Sequence, residues 1–147
     1  MLPSAGGEPR KLVSADAVAL HPRTGEIIVQ RNETGGVHFF RFDAVNGREQ
    51  RIEIRDAEAP ASGGPLSSGA IAPDGRIVFP IAPPDTWDWE VGLLDPFSLS
   101  IKRVPMDYRG GLNSPAWTSD GHIVFAGVPF QSSIWRFRPL AETSGDR

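Results

Sequence analysis

A short apolar alternation placed directly after a turn glycine occurs three times in this chain: Gly25-Glu26-Ile27-Ile28-Val29, Gly75-Arg76-Ile77-Val78-Phe79 and Gly121-His122-Ile123-Val124-Phe125. Self-similarity at a long, nearly fixed spacing constrains the fold more than any single residue does. Each unit can bury its apolar side only against a neighbouring unit. The glycines are separated by 50 residues (25 to 75) and 46 residues (75 to 121), longer than most helical repeats. The 16 glycines and 14 prolines fall mostly between apolar runs, as many short strands joined by tight turns require.

The spacing is close to the ~40–45 residues of a four-stranded propeller blade. Ahead of each glycine runs a short predicted inner strand: Val18-Ala19-Leu20, Gly69-Ala70-Ile71 and Pro115-Ala116-Trp117. Ala19, Ala70 and Ala116 correspond, and a small residue suits a crowded innermost position. Asp74-Gly75 and Asp120-Gly121 are hairpin signals, because glycine tolerates positive φ and aspartate bonds its own backbone. In the first unit Thr24-Gly25 takes that place, with one extra residue.

A third strand follows in each unit: Phe40-Arg41-Phe42-Asp43, Gly92-Leu93-Leu94-Asp95 and Trp135-Arg136-Phe137-Arg138. Apolar residues alternate with charges in the first and last copies, so one side is buried and the other meets water. The middle copy is more apolar and is expected to be more enclosed. Gln50-Arg51-Ile52-Glu53-Ile54 and Lys102-Arg103-Val104 read as polar outer strands. Arg10-Lys11-Leu12-Val13 has the same outer-strand character. The expected fold is all-β, a partial β-propeller of about three four-stranded antiparallel blades. Blades are expected near 14–56, 66–106 and 112–139 within a unit spanning 10–139, flanked by flexible segments 1–9 and 140–147.

The arrangement resembles the Asp-Gly β-propeller repeats of the TolB type, which are related to WD repeats. Ser114-Pro115-Ala116-Trp117-Thr118-Ser119-Asp120-Gly121-His122-Ile123-Val124-Phe125 is similar to the family pattern of apolar-Trp-Ser-Pro-Asp-Gly followed by an apolar strand, with Ser119 replacing Pro. Ala70-Ile71-Ala72-Pro73-Asp74-Gly75-Arg76-Ile77-Val78-Phe79 carries the same signature. Ser133-Ile134-Trp135-Arg136-Phe137 looks like the final blade of propellers that in bacteria often follow a serine/threonine kinase or a winged-helix regulator. The resemblance implies a fold, and functions differ widely on that fold. Closed propellers have about 4–8 blades, so three leave the terminal blades uncovered. Further blades of a longer protein, or a second copy of this chain, would cover them.

Composition excludes several function classes. The net charge is −3, and 13 of the 15 cations are arginines without a dense basic cluster, so nucleic-acid binding gains no support. No apolar run approaches the ~20 residues that span a bilayer, so no membrane insertion is expected, and the first residues lack a signal-peptide pattern. There is no cysteine, hence no disulfide, thiolate metal site or cysteine nucleophile. That leaves the compartment open; a periplasmic or extracytoplasmic setting within a longer protein is compatible with it.

The three histidines, His21, His38 and His122, lack metal-ligand spacing. No Gly-x-Ser-x-Gly elbow is present, and Ser62-Gly63-Gly64 with Ser67-Ser68-Gly69 reads as a flexible connection between blades. Gly35-Gly36 and Gly110-Gly111 read as loops without a phosphate-cradling context. No cofactor is expected, and no catalytic or metal site is assigned.

The most distinctive nonrepeated segment is Pro83-Pro84-Asp85-Thr86-Trp87-Asp88-Trp89-Glu90, between the second and third strands of the middle blade. Asp85, Trp87, Asp88 and Trp89 form a candidate ligand rim, because loops on a rigid scaffold commonly bind and tryptophans often anchor partners. Alternatively, a tryptophan simply covers the sheet edge. Tyr108-Arg109-Gly110-Gly111-Leu112-Asn113 connects the second blade to the third. Strand alternation places it on the same face, adding Tyr108, Arg109 and Asn113. The expected function is a noncatalytic binding or sensory module for a protein or small-molecule ligand. The alternative is part of a six-bladed hydrolase, lactonase-like or associated with a peptidase.

Overall fold

The computed structural model describes residues 11–131 together with Glu8 and Ile134. Among the described residues ten strands run in chain order: β1 (Ala17–Leu20), β2 (Ile27–Glu33), β3 (Gly36–Phe42), β4 (Glu49–Arg51), β5 (Asp56–Ala57), β6 (Ile77–Ile81), β7 (Glu90–Asp95), β8 (Ser100–Arg103), β9 (Gly110–Trp117) and β10 (Ile123–Pro129). The first blade is the antiparallel sheet β1-β2-β3-β4, the second is built on β6, β7 and β8, and β9 with β10 begins the third. The fold is an all-β partial propeller.

The three glycine turns are built alike. Gly75 N–H donates to the Ala72 carbonyl (2.9 Å) and Ala72 N–H to Arg76 (2.8 Å); Gly121 and Thr118 repeat the pattern at 3.1 Å, with Thr118 N–H donating to His122 at 2.8 Å. Each loop closes on a left-handed glycine, at φ 89° for Gly75 and 85° for Gly121, where a Cβ would cause strain. The extra residue of the first unit widens the loop, so Gly25 N–H reaches back to the His21 carbonyl at 2.9 Å.

Asp43 and Asp95 close a second family of turns at the ends of β3 and β7. Asp43 Oδ1 accepts from Val45 and Asn46 N–H, and Asp95 Oδ1 from Phe97 and Ser98 N–H. These bonds occupy backbone donors that the turn leaves unpaired. The Phe97 bond is the main cause holding the Asp95 carboxyl below its ordinary pKa. Asp120 is likewise lowered, first by the Thr118 hydroxyl and then by His122. A lowered folded pKa contributes stability above the unfolded value of about 3.9 and loses it as pH falls through the folded value. Thermal stability is therefore expected to decline below about pH 4. The double substitution Asp95→Asn, Asp120→Asn, which keeps acceptor oxygens, is expected to flatten that decline in melting curves taken between roughly pH 6 and pH 2; an equally steep decline would count against these two groups.

Period-2 alternation divides the apolar residues of the middle blade between its neighbours. Ile77, Phe79 and Ile81 of β6 and Leu94 of β7 join Ala19, Ile28 and Phe39 of the first blade in one core. Val78 and Val91 face the other way and pack with Leu112 of β9, supported by Trp117, Ile123 and Phe125. Every residue of β6 is consequently buried. β7 is also more enclosed than β3, as its apolar sequence predicts. Gly92 permits this closeness, since a Cβ there would lie 2.3 Å from Ile81 Cγ2. Across the second junction the Arg76 guanidinium lies over the Trp117 ring, 4.9 Å from its centroid.

Several local expectations are corrected. Gly69-Ala70-Ile71 is not a continuous inner strand; it contributes one bridge, Ile71 to Ile77, while Ala61 bridges Ile81 at the other end of β6. Two short segments thus share the place of one strand. The outer strand of the first blade is Glu49–Arg51, and the chain then crosses so that Asp56–Ala57 pairs in parallel with β8. Lys11, Leu12 and Val13 are not strand, and Arg10 lies outside the described residues. Gly110-Gly111-Leu112-Asn113 is not a loop but the first half of β9, held in antiparallel register opposite Ala126 to Pro129 of β10. The predicted strand at Trp135-Arg136-Phe137-Arg138 lies outside the described residues.

The segment read as a flexible connection is fastened. Gln30, only 1% exposed, projects from β2 and pairs with it as a strand backbone would. Its amide nitrogen donates to the Gly64 carbonyl at 3.0 Å, and its carbonyl accepts from Leu66 N–H at 2.7 Å. Ser62 and Leu66 are buried alongside.

Candidate cleft at the junction of the second and third blades

Antiparallel alternation brings the loop between β6 and β7 to the same end as the connection between β8 and β9. In the first loop Thr86 Oγ1 accepts from Asp88 N–H (3.1 Å) and donates to the Asp88 carbonyl (2.8 Å), a tight side-chain turn. It leaves Trp87 fully exposed at the tip. Trp89 turns back towards Gly64, where a Cβ would sit 3.1 Å from the indole edge, and its carbonyl accepts from Leu112 N–H of β9 at 3.1 Å. Trp89 therefore covers a sheet edge in part, the alternative raised by the sequence.

Tyr108 is seated by two glycines. A Cβ on Gly127 would lie 2.7 Å from its phenol carbon, and one on Gly110 2.9 Å from its ring edge. The ring also tilts against Phe125 at 5.9 Å between centroids. Glycine at both positions lets the aromatic ring lie directly on the β9–β10 backbone.

Asp88, Tyr108 and Arg109 meet around a cleft of about 710 Å3, whose walls also include Glu58, Glu90, Arg103 and Met106. Glu90 holds the Arg103 guanidinium by paired hydrogen bonds, which, with the charge of Glu90, keep that arginine even more firmly protonated than usual. Glu58 accepts from Arg103 N–H at 2.7 Å. Arg109 has no carboxylate partner among the described residues. The wall therefore presents one cation without a carboxylate partner among the described residues beside a phenol and carboxylates, a set able to hold a polar ligand.

Of the seven candidate residues, the cleft gathers Asp88, Tyr108 and Arg109. Trp87 stands clear in solvent, Trp89 faces the Gly64 side, Asp85 is exposed on the loop, and Asn113 is half-buried within β9 opposite Ala126. Sequence reasoning missed Glu58, Glu90, Arg103 and Met106. Arg103 and Glu90 sit on adjacent strands whose register pairs Gly92 with Arg103, a relation no local motif signals. The histidines serve turns and edges: His21 Nδ1 accepts from Arg23 and Thr24 N–H, His38 meets Arg51, and His122 meets Asp120 at 3.1 Å. Among the described residues no group of three or more His, Cys, Asp or Glu could hold a metal ion, and no helix is long and apolar enough to cross a membrane.

Successive antiparallel blades packed face to face define a TolB-like β-propeller fold. The chain is similar to the crystal structure of TolB from Acinetobacter baumannii, with 20% identity and a TM-score of 0.56, over 80% of this chain and 28% of that one. The likeness is one of fold, and the chain spans little more than a quarter of the TolB chain it matches. Neither a family model nor a curated protein matches the sequence.

Proposed function

We propose that this chain is a noncatalytic binding or sensory module, contributing blades to a larger propeller that recognises a protein or a small ligand at the loop-bearing end. The cleft that gathers Asp88, Tyr108 and Arg109 at a blade junction carries this reading, because loops on a rigid scaffold are where propellers place variable recognition chemistry. Fusion to a bacterial kinase or winged-helix regulator is the setting suggested by the repeat motifs. Its role there is to couple ligand occupancy or protein contact to the fused domain.

Apolar terminal faces left exposed among the described residues support membership of a larger ring. Ala19 packs on the middle blade, so its neighbours Val18 and Leu20 point outward, and they are 50% and 56% exposed. At the other end Val124 alternates with the packed Ile123 and Phe125 and is 50% exposed. Such faces are covered by additional blades or by a second copy.

The reading is tested by capturing partners on the complete propeller and measuring their affinity for variants at the cleft. Arg109→Ala and Asp88→Ala are expected to weaken binding by about tenfold or more, the scale of an interface hot spot, while melting temperature changes little because Arg109 is exposed and Asp88 only half-buried. Undiminished binding by both variants would refute the cleft as the recognition site. Sustained hydrolysis of a lactone or peptide by the propeller would replace the reading with an enzymatic one.

A further inference from the structure

The opposite end of the strands carries a second cavity that the proposed function does not use. It lies between the first two blades, has a volume of about 440 Å3, and is entered between the glycine turns and the Asp95 turn. Its floor is aliphatic: Ile28, Ile52, Ile71, Ile77 and Leu94, all part of the core and each no more than 7% exposed. Such a floor is preformed, because these side chains are locked by packing on both blades.

The wall is polar but electrically compensated. Glu26 pairs with Arg41 at 3.4 Å, and Asp74 with Arg76 at 2.8 Å. An ionic ligand would have to displace one of these partners; an uncharged one would not. His21 supplies a directed donor. Its Nδ1 accepts the Arg23 and Thr24 N–H bonds, at 3.2 and 3.3 Å, so in the neutral ring the proton resides on Nε2. That nitrogen is turned towards Gly75 at the cavity wall, 3.7 Å from where a Cβ would stand. At the mouth Phe97 is 85% exposed, offering a ring face beside Pro96.

We infer that this cavity is a second binding site, for an uncharged aromatic ring bearing one hydrogen-bond acceptor, such as a phenol. The ring lies over the floor where Ile28, Ile52 and Ile71 keep a few per cent of their surface exposed, with Ile77 and Leu94 just beneath, Phe97 stacks against its outer side, and the acceptor oxygen takes the His21 Nε2–H bond. The site is independent of the cleft at the other end of the strands, so either can fail without the other.

The test is methyl NMR of the full chain titrated with p-cresol and with toluene. Methyl resonances of Ile71, Ile77 and Leu94 are expected to shift with p-cresol at millimolar concentration, and less with toluene, which lacks the acceptor. His21→Asn retains an oxygen to accept the Arg23 and Thr24 N–H bonds but removes the Nε2 donor. It is expected to weaken p-cresol about three- to tenfold, the worth of one hydrogen bond, and to leave toluene unchanged. Phe97→Ala, at an exposed position that does not threaten folding, is expected to weaken both. A peptide N-acetyl-Gly-Tyr-Gly-amide separates the sources: tighter binding than p-cresol assigns the ring to a protein partner, weaker binding to a free small molecule, and both support the site. Absence of methyl shifts with p-cresol, or unchanged p-cresol affinity in both variants, would overturn it.

Discussion

Phe79→Ala is expected to destabilise the chain by about 3–5 kcal/mol, the range for removing a large aromatic from a core. Phe79 is 1% exposed and its ring meets that of Phe39, also 1% exposed, at 5.0 Å between centroids and 57° between planes. That pair lies where β6 of the second blade meets β3 of the first. Truncation removes the buried ring, leaves a cavity between two sheets that cannot collapse independently, and forfeits the aromatic contact of about 0.5–1.5 kcal/mol contained in that range. For a chain of this size the expected fall in melting temperature is about 10 °C or more. Urea unfolding of the variant provides the measurement; a loss below about 1 kcal/mol would show that the two blades do not depend on this junction.

The second large effect is expected at Gln30, whose substitution by leucine nearly preserves volume and removes both hydrogen bonds to the 63–66 connection. Leu66 N–H and the Gly64 carbonyl would be left without their partner in a buried setting, at about 1–3 kcal/mol for each group left unsatisfied. A loss of about 2–4 kcal/mol is expected from unfolding curves. A local readout accompanies it. The connection should become the first site of limited proteolysis, because its release from β2 frees a glycine- and serine-rich backbone. Unchanged proteolysis with reduced global stability would locate the effect elsewhere in the sheet.

Strand and turn chemistry was legible wherever it depended on neighbours in sequence. The three glycine turns, the extra residue at His21 to Gly25, and the recurring Asp43 and Asp95 all have the roles their types dictate. Each acts through bonds spanning only a few residues. The inner strand of the second blade was misread because Ala70 and Ile71 are apolar for a different reason: they fill the junction between blades while contributing one bridge. Gly110 and Gly111 were misread as a loop because two adjacent glycines carry no strand propensity of their own. Pairing with Val128 and Pro129 of β10 decides their conformation, and at Gly110 a Cβ would meet the Val128 carbonyl oxygen at 2.3 Å and the Tyr108 ring edge at 2.9 Å, so glycine is required there.

The candidate sites divide in the same way. Asp88, Tyr108 and Arg109 stand out because two adjacent connections are unlike anything elsewhere in the repeat. Glu58 could not be found so, since it reaches Arg103 from 45 residues away and sits in no motif. Nor could the cavity beneath His21, whose floor comes from both sheets. The amino-acid sequence by itself determined the repeat, its turns and the alternation that gives each strand a buried side, since these follow from backbone sterics and short-range bonds. Only the tertiary structure decided which blade each apolar side meets, how Gln30 fastens the connection, and where charges from distant strands converge. Those outcomes depend on packing and register between segments dozens of residues apart.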